Sequence, residues 1–163
     1  MVRLLCAFGA LCAAFSLAGT ADAATSRSAE LSRLATGFRG GKVRETVFCA
    51  QTQSDWSATL AKHRAPSYVV GFAYIGMPRV WLSPSICAGV ATADPWAILV
   101  FLHELTHTTG VRNEAKANCG ALSVERPFLQ EHLGLSADQA SAVYDGSYAR
   151  AMSEPAAYRP TAC

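Results

Sequence analysis

The sequence lacks three features that would each place it in a different class of protein. Only 16% of its 163 residues are charged and its formal net charge is +2, which favours neither nucleic acid nor an anionic membrane surface as a partner. After residue 23 it has no apolar run long enough to cross a membrane. None of its cysteines occur in the close pairs that ligate structural zinc.

The first 23 residues have the pattern of an export signal. Arg3 gives a positive start, residues 4–18 form an apolar core, and residues 21–23 (Ala-Asp-Ala) have the small-x-small form of a cleavage site. Cleavage there leaves about 140 residues, enough for one domain. We therefore predict an exported protein, periplasmic or secreted, with no stable membrane anchor after signal cleavage.

An even number of cysteines remains in the exported chain, which predicts two disulfides. They are Cys49, Cys87, Cys119 and Cys163. Three pairings are possible from the sequence alone. We favour Cys49 with Cys87 and Cys119 with Cys163, because each pair then closes a loop around a separate half of the domain.

The chain divides into a polar N-terminal extension, residues 24–42, and a single domain, residues 43–163. The extension is expected to hold at most one short helix. β-Forming residues predict strands at 43–50, 68–75 and 79–82, the last two as a hairpin, with a helix at 54–62 between the first two.

Helix signals dominate the second half of the sequence. Asp94 and Pro95 predict the start of one helix and Gly110 its end, Asn113 predicts the start of a second, and Gly134 ends it. Pro127 is expected to break or restart that second helix, and Ser136 with Gln139 predicts a capping box for a last one. The whole pattern predicts an α+β fold, with a short antiparallel sheet packed against a mainly helical C-terminal half.

The strongest chemical signal lies in residues 97–110, which read A-I-L-V-F-L-H-E-L-T-H-T-T-G. His103 and His107 are four residues apart, so on a helix their imidazoles lie on one face and can bind one metal ion. Glu104 is rotated by about 100° and can act on the open side of the ion without being a ligand. The alternative is a buried helix whose two histidines are hydrogen-bonded core residues.

A third ligand is offered by Glu114, in the first turn of the helix that Asn113 caps. In a straight helix Glu114 would lie about 10 Å further along the axis than His107. The turn at Gly110 allows the second helix to fold back and bring Glu114 to the two histidines. The expected site is therefore a minimal helix–turn–helix.

These residues resemble the signature of the gluzincin metallopeptidases, the thermolysin-like class. The resemblance covers residues 100–119 and implies that His103, His107 and Glu114 bind Zn²⁺, with Glu104 as general base on a zinc-bound water. Asn118 stands where that class has an aspartate bonded to a ligand histidine, and an amide can accept the same hydrogen bond without the charge that raises ligand basicity. The connection from His107 to Glu114 is also shorter than in thermolysin.

Several residues of this region allow other assignments. H-E-x-x-H-x-x-G also fits the metzincins, but Asn113 stands where that class needs His or Asp. Glu125 is a further candidate ligand, although its neighbours favour a surface charge at a helix end. His132 and the tyrosines of the last helix, Tyr144 and Tyr148, are candidates for stabilising a tetrahedral intermediate, but the sequence favours a solvated position for His132 and core packing for the tyrosines.

The function expected from these residues is an exported zinc metallopeptidase that hydrolyses peptide bonds of a peptide or protein substrate. The edge of the hairpin beside the metal helix is a place where an extended peptide could add as a strand. The alternative is a disulfide-stapled zinc-binding or structural domain without turnover.

Overall fold

The computed structural model describes residues 25–160 and residue 163, which contain four short strands and six helices. In chain order these are β1 (Thr25–Ser28), α1 (Ala29–Phe38), β2 (Thr46–Ala50), α2 (Gln53–His63), β3 (Gly71–Ala73), β4 (Arg79–Leu82), α3 (Pro84–Ala91), α4 (Pro95–Thr108), α5 (Glu114–Leu133) and α6 (Ala137–Ser153). The α+β prediction is confirmed, including the helical C-terminal half. The predicted signal peptide, residues 1–23, lies outside the described residues.

The four strands form one sheet in the order β1-β2-β4-β3. The predicted hairpin of β3 with β4 is present and antiparallel, as is the pair of β1 with β2. The central pair of β2 with β4 is parallel. The sheet is therefore mixed, whereas the sequence predicted an antiparallel sheet. The reason is that α2 leads the chain from β2 to β3 at the edge of the sheet, and the β3–β4 hairpin then turns it back, so β4 runs in the direction of β2.

The segment predicted as a polar extension, residues 24–42, contributes β1 and α1 to the domain. Ser28 caps α1, which buries Leu31 and Leu34 in the main core. The Ser32 hydroxyl oxygen accepts a hydrogen bond of 3.0 Å from the Val47 N–H of β2. The exposed side of this segment carries Arg27, Glu30, Arg33 and Lys42, and these charges are why its composition alone did not indicate a core element.

Helix α4 is the centre of the fold, since every residue from Ala97 to Thr108 is buried. Its start is as predicted, with the Asp94 carboxylate accepting from the Ala97 N–H at 2.9 Å and Pro95 in the first position. Each of the three adjacent helices approaches α4 through a glycine. A Cβ at Gly89, Gly120 or Gly146 would lie 2.5–2.9 Å from a side chain of α4.

Two helices differ from their prediction. The segment around Cys87, where no helix was predicted, forms α3, whose first turn is capped by the Ser83 hydroxyl. Helix α5 passes through Pro127 without a break. Pro127 has no N–H to offer the Ser123 carbonyl, but both residues are exposed, so water can satisfy that oxygen.

Two disulfides join cysteines within the described part of the chain, and both have the predicted pairing. Cys49–Cys87 joins β2 to α3, and Cys119–Cys163 joins α5 to the C-terminal residue. Such bonds are typical of an oxidising, extracellular environment. Among the described helices, none is by itself long and apolar enough to span a membrane, while α3 and α4 meet that test only as a pair bent by 107°.

Candidate metal centre

Three side-chain atoms meet at one point between α4 and α5. The His103 Nε2 atom lies 3.0 Å from His107 Nε2 and 3.0 Å from Glu114 Oε2, and the distance from His107 Nε2 to Glu114 Oε2 is 3.3 Å. Both histidines are buried and Glu114 is partly exposed. The structure thus brings together the three side chains that the sequence predicted as ligands, and this group could hold a metal ion.

The local sequence explains how Glu114 reaches the two histidines. Gly110 adopts a φ of 100° after α4, a conformation that favours glycine and turns the chain. Asn113 then starts α5, with its side chain accepting from the Lys116 N–H at 2.9 Å. Gly120 faces the Thr106 side chain, so α5 can lie close to α4 and present its first turn to the histidines.

The Nδ1 atoms of both histidines have acceptors behind them. His107 Nδ1 lies 2.7 Å from the carbonyl oxygen of Val111, which can only accept, so Nδ1 carries the proton. His103 Nδ1 lies 2.7 Å from Asn118 Oδ1. The Asn118 NH₂ group faces another acceptor, the Tyr158 carbonyl, which fixes Oδ1 toward His103. The Nε2 atoms of both rings are therefore directed at the shared point, where each can offer a lone pair to a cation or, when protonated, a hydrogen bond to Glu114.

The dimensions and the charges of this triangle fit a small cation. Ligands at about 2.0–2.1 Å from a tetrahedral zinc ion lie roughly 3.3 Å from one another, close to the observed sides. Hydrogen bonds from His103 and His107 lower the pKa of Glu114 to about 2, so its carboxylate is ionised. Burial lowers the pKa of His107, but its bonds to Glu114 and Val111 outweigh burial and raise it overall. The site favours positive charge.

Glu104 is adjacent to the triangle but is not a member of it. Its side chain is buried, and its carboxylate accepts a hydrogen bond from the backbone of Ala73 in β3. Burial raises its pKa, and this effect exceeds the opposing attraction of the two histidines. Glu104 shares with the three candidate ligands a cavity of about 530 Å³, walled by β3 and the loop before it, by α4 and by the C-terminal segment.

Tyr158 is the site residue that the sequence reasoning missed. It lines the cavity, and its ring lies beside that of His103 with centroids 6.5 Å apart. Burial and the nearby Glu114 carboxylate raise the pKa of its phenol, so it remains a hydrogen-bond donor. The sequence contained one indication that Tyr158 lies near the site. The predicted disulfide between Cys163 and Cys119 brings the C-terminal tail to the residue next to Asn118.

The other candidates lie away from the triangle. Glu125, predicted as a surface charge, is fully buried in the middle of α5, where its carboxyl group contacts Ser147 of α6. The surface prediction was wrong because Glu125 lies on the buried face of a helix that continues through Pro127. The rings of Tyr144 and Tyr148 stack on each other, and that of His132 contacts Phe128.

The lining of the cavity thus includes the imidazoles of His103 and His107, the ionised carboxylate of Glu114, the buried carboxyl group of Glu104 and the phenol of Tyr158. This donor set could hold a metal ion, whose identity it does not fix. No family model, curated protein or solved structure matches the chain.

Proposed function

We propose that the chain is a zinc-dependent metallopeptidase of the gluzincin type. The observation that carries the proposal is the triangle of His103, His107 and Glu114, with both imidazoles held by their Nδ1 atoms. Two imidazoles and one carboxylate are a donor set that zinc uses in catalytic sites, where a fourth position stays open. When bound, zinc would lower the pKa of water and polarise a carbonyl group.

Glu104 is the proposed general base. Its carboxylate lies in the same cavity as the ligands and is oriented by the backbone of Ala73. It takes a proton from the attacking water and transfers it to the leaving amine. The phenol of Tyr158 faces the same cavity and is proposed to donate a hydrogen bond to the oxygen on which negative charge develops.

The edge of the sheet supports a peptide as the substrate. The Val70 carbonyl accepts from the Ser83 N–H at 2.9 Å, so Val70 and Phe72 direct their backbone groups toward β4. By the alternation of an antiparallel pair, Gly71 and Ala73 direct theirs away from β4. The Ala73 N–H donates to Glu104, so the Gly71 N–H and the carbonyls of Gly71 and Ala73 are the groups proposed to bind a peptide. β3 is the last strand of the sheet and lines the cavity, so an extended peptide can pair with it beside Glu104.

The test is zinc content and peptide cleavage of the wild type and of Glu104→Gln. We expect one equivalent of zinc in both proteins, and cleavage of a peptide library that is about 10²–10⁴-fold slower in the variant. Glu131→Gln is the matched control, because Glu131 is an exposed carboxylate elsewhere. Cleavage at the wild-type rate by Glu104→Gln would show that the assigned mechanism is wrong.

A second candidate function is a metal-binding domain without turnover. It is favoured by the acceptors behind the histidines, since Asn118 and the Val111 carbonyl are both neutral and raise ligand basicity less than a carboxylate does. One equivalent of zinc with no cleavage of any library peptide would support this function. Absence of zinc would refute the zinc peptidase, and absence of any bound metal would refute both functions.

A further inference from the structure

The C-terminal segment lies against the metal cavity and is attached to two adjacent residues of α5. The carbonyl oxygen of Tyr158 accepts a hydrogen bond of 2.7 Å from Asn118 Nδ2. The next residue of α5, Cys119, forms the disulfide with Cys163. Pro155 and Tyr158 line the cavity, so the position of this segment determines the shape of one side of the site.

Asn118 uses both ends of its amide. Its Oδ1 accepts from His103 Nδ1 at 2.7 Å, and its NH₂ group donates to the Tyr158 carbonyl. A carboxylate could accept from the histidine, but it has no proton for the carbonyl. Asn118 is 4% exposed, so neither bond is readily replaced by water.

Local bonds give the segment its turn but do not attach it to α5. The Tyr158 N–H donates to the Pro155 carbonyl at 2.8 Å, and Arg159 Nε donates to the Glu154 carbonyl at 2.7 Å. The hydrogen bond from Asn118 Nδ2 to the Tyr158 carbonyl joins this turn to α5.

We propose that the C-terminal segment forms a fixed wall of the metal cavity and that Asn118 is its positioning residue. The NH₂ group of Asn118 holds this segment in place, while its Oδ1 orients His103. The wall is residues 155–160 together with Cys163. The proposal accounts for asparagine in a position where the gluzincin signature has aspartate. It requires metal binding only and is independent of whether the chain hydrolyses peptides.

Asn118→Asp separates the two roles, because aspartate keeps the acceptor for His103 and loses the donor for Tyr158. The full-length oxidised protein is loaded with zinc and digested with chymotrypsin, and the peptide released after Tyr158 is measured by mass after reduction. We expect cleavage there to be about tenfold faster than in the wild type, from the loss of one buried hydrogen bond. Zinc affinity should be equal to that of the wild type or tighter, since a charged acceptor raises ligand basicity.

Two further variants test the contributions of the two hydrogen bonds that Asn118 makes. Asn118→Ala should also be cleaved faster, but its zinc affinity should fall about 10–100-fold because His103 loses its acceptor. Asn113→Asp is the matched control: it adds the same charge beside Glu114 and keeps a side-chain oxygen that can accept the capping bond from the Lys116 N–H. It should be cleaved at the wild-type rate.

Cleavage of Asn118→Asp at the wild-type rate would overturn the proposal, as would equal losses of zinc affinity in Asn118→Asp and Asn118→Ala. If Asn118→Asp does not fold, the Cys119→Ser/Cys163→Ser variant tests the wall from its other attachment. Faster cleavage after Tyr158 in that variant is expected, and an unchanged rate would also overturn the proposal.

Discussion

Glu125 should make the protein less stable as the pH rises, and Glu125→Gln should remove this effect. The Ser147 hydroxyl oxygen lies 2.5 Å from Glu125 Oε1 and 2.8 Å from the Pro95 carbonyl oxygen. A hydroxyl has one proton for these two acceptors, so one of the contacts needs a proton from Glu125 itself. The other carboxyl oxygen, Oε2, is buried without a hydrogen-bond partner. The site therefore fits a neutral carboxylic acid.

The size of the effect follows from the pKa of this group. Burial raises the pKa of Glu125 from 4.5 to about 7. The folded state thus holds the proton more tightly than the unfolded state, and its contribution to stability is fully present below pH 4.5. This contribution is lost as the pH rises from 4.5 to about 7, a change of about 3 kcal/mol in the free energy of unfolding.

The assay is urea unfolding of the wild type and Glu125→Gln across this range of pH, with the disulfides intact. Glutamine cannot ionise, and its amide can donate to Ser147. Between pH 4.5 and pH 7 the free energy of unfolding of the variant should therefore rise, relative to that of the wild type, by up to about 3 kcal/mol. Glu131→Gln, at an exposed carboxylate, should follow the wild type. A stability difference between Glu125→Gln and the wild type that does not change with pH would refute the reasoning.

Two further predictions concern the metal site and the disulfides. Zinc affinity should fall on acidification, starting above pH 6.5, because the pKa of His107 in the metal-free protein is raised overall and protons compete with the ion. Competition titrations from about pH 5 to about pH 8 would measure this fall, and an affinity that does not change with pH would contradict the prediction. Replacing Cys49 and Cys87 together by alanine should lower the free energy of unfolding by about 4 kcal/mol, since the bond closes a loop of 38 residues; an unchanged Tm would show that the loop is ordered by other contacts.

The candidate ligands were predictable because each depends on local structure. His103 and His107 need only one turn of helix between them, and Glu114 needs only the Gly110 turn and the Asn113 cap. These are properties of a few neighbouring residues, which a sequence displays directly. The identity of the bound ion and the chemistry at the site are not local in this sense, and they stay proposals.

What the sequence did not reveal depends on contacts between distant segments. The parallel pairing of β2 with β4 requires that β4 return beside β2, and the same residues would suit an antiparallel pair equally well. Tyr158 reaches the site through an irregular tail whose course is set by a disulfide. Glu125 differs, since it follows Ala121 by one turn on the buried face of α5, and only the expected break at Pro127 concealed this.

The burial of α4 has a consequence for how the chain would respond to a chelator. Small zinc domains unfold without their ion because binding free energy is their folding free energy. Here the two histidines belong to the most buried helix, which is held by apolar packing on the sheet and on three helices. The apoprotein should keep its tertiary structure, and ion uptake should require little ordering of the backbone. Removing and restoring the metal would then be a reversible exchange at a preorganised site rather than a cycle of unfolding and refolding.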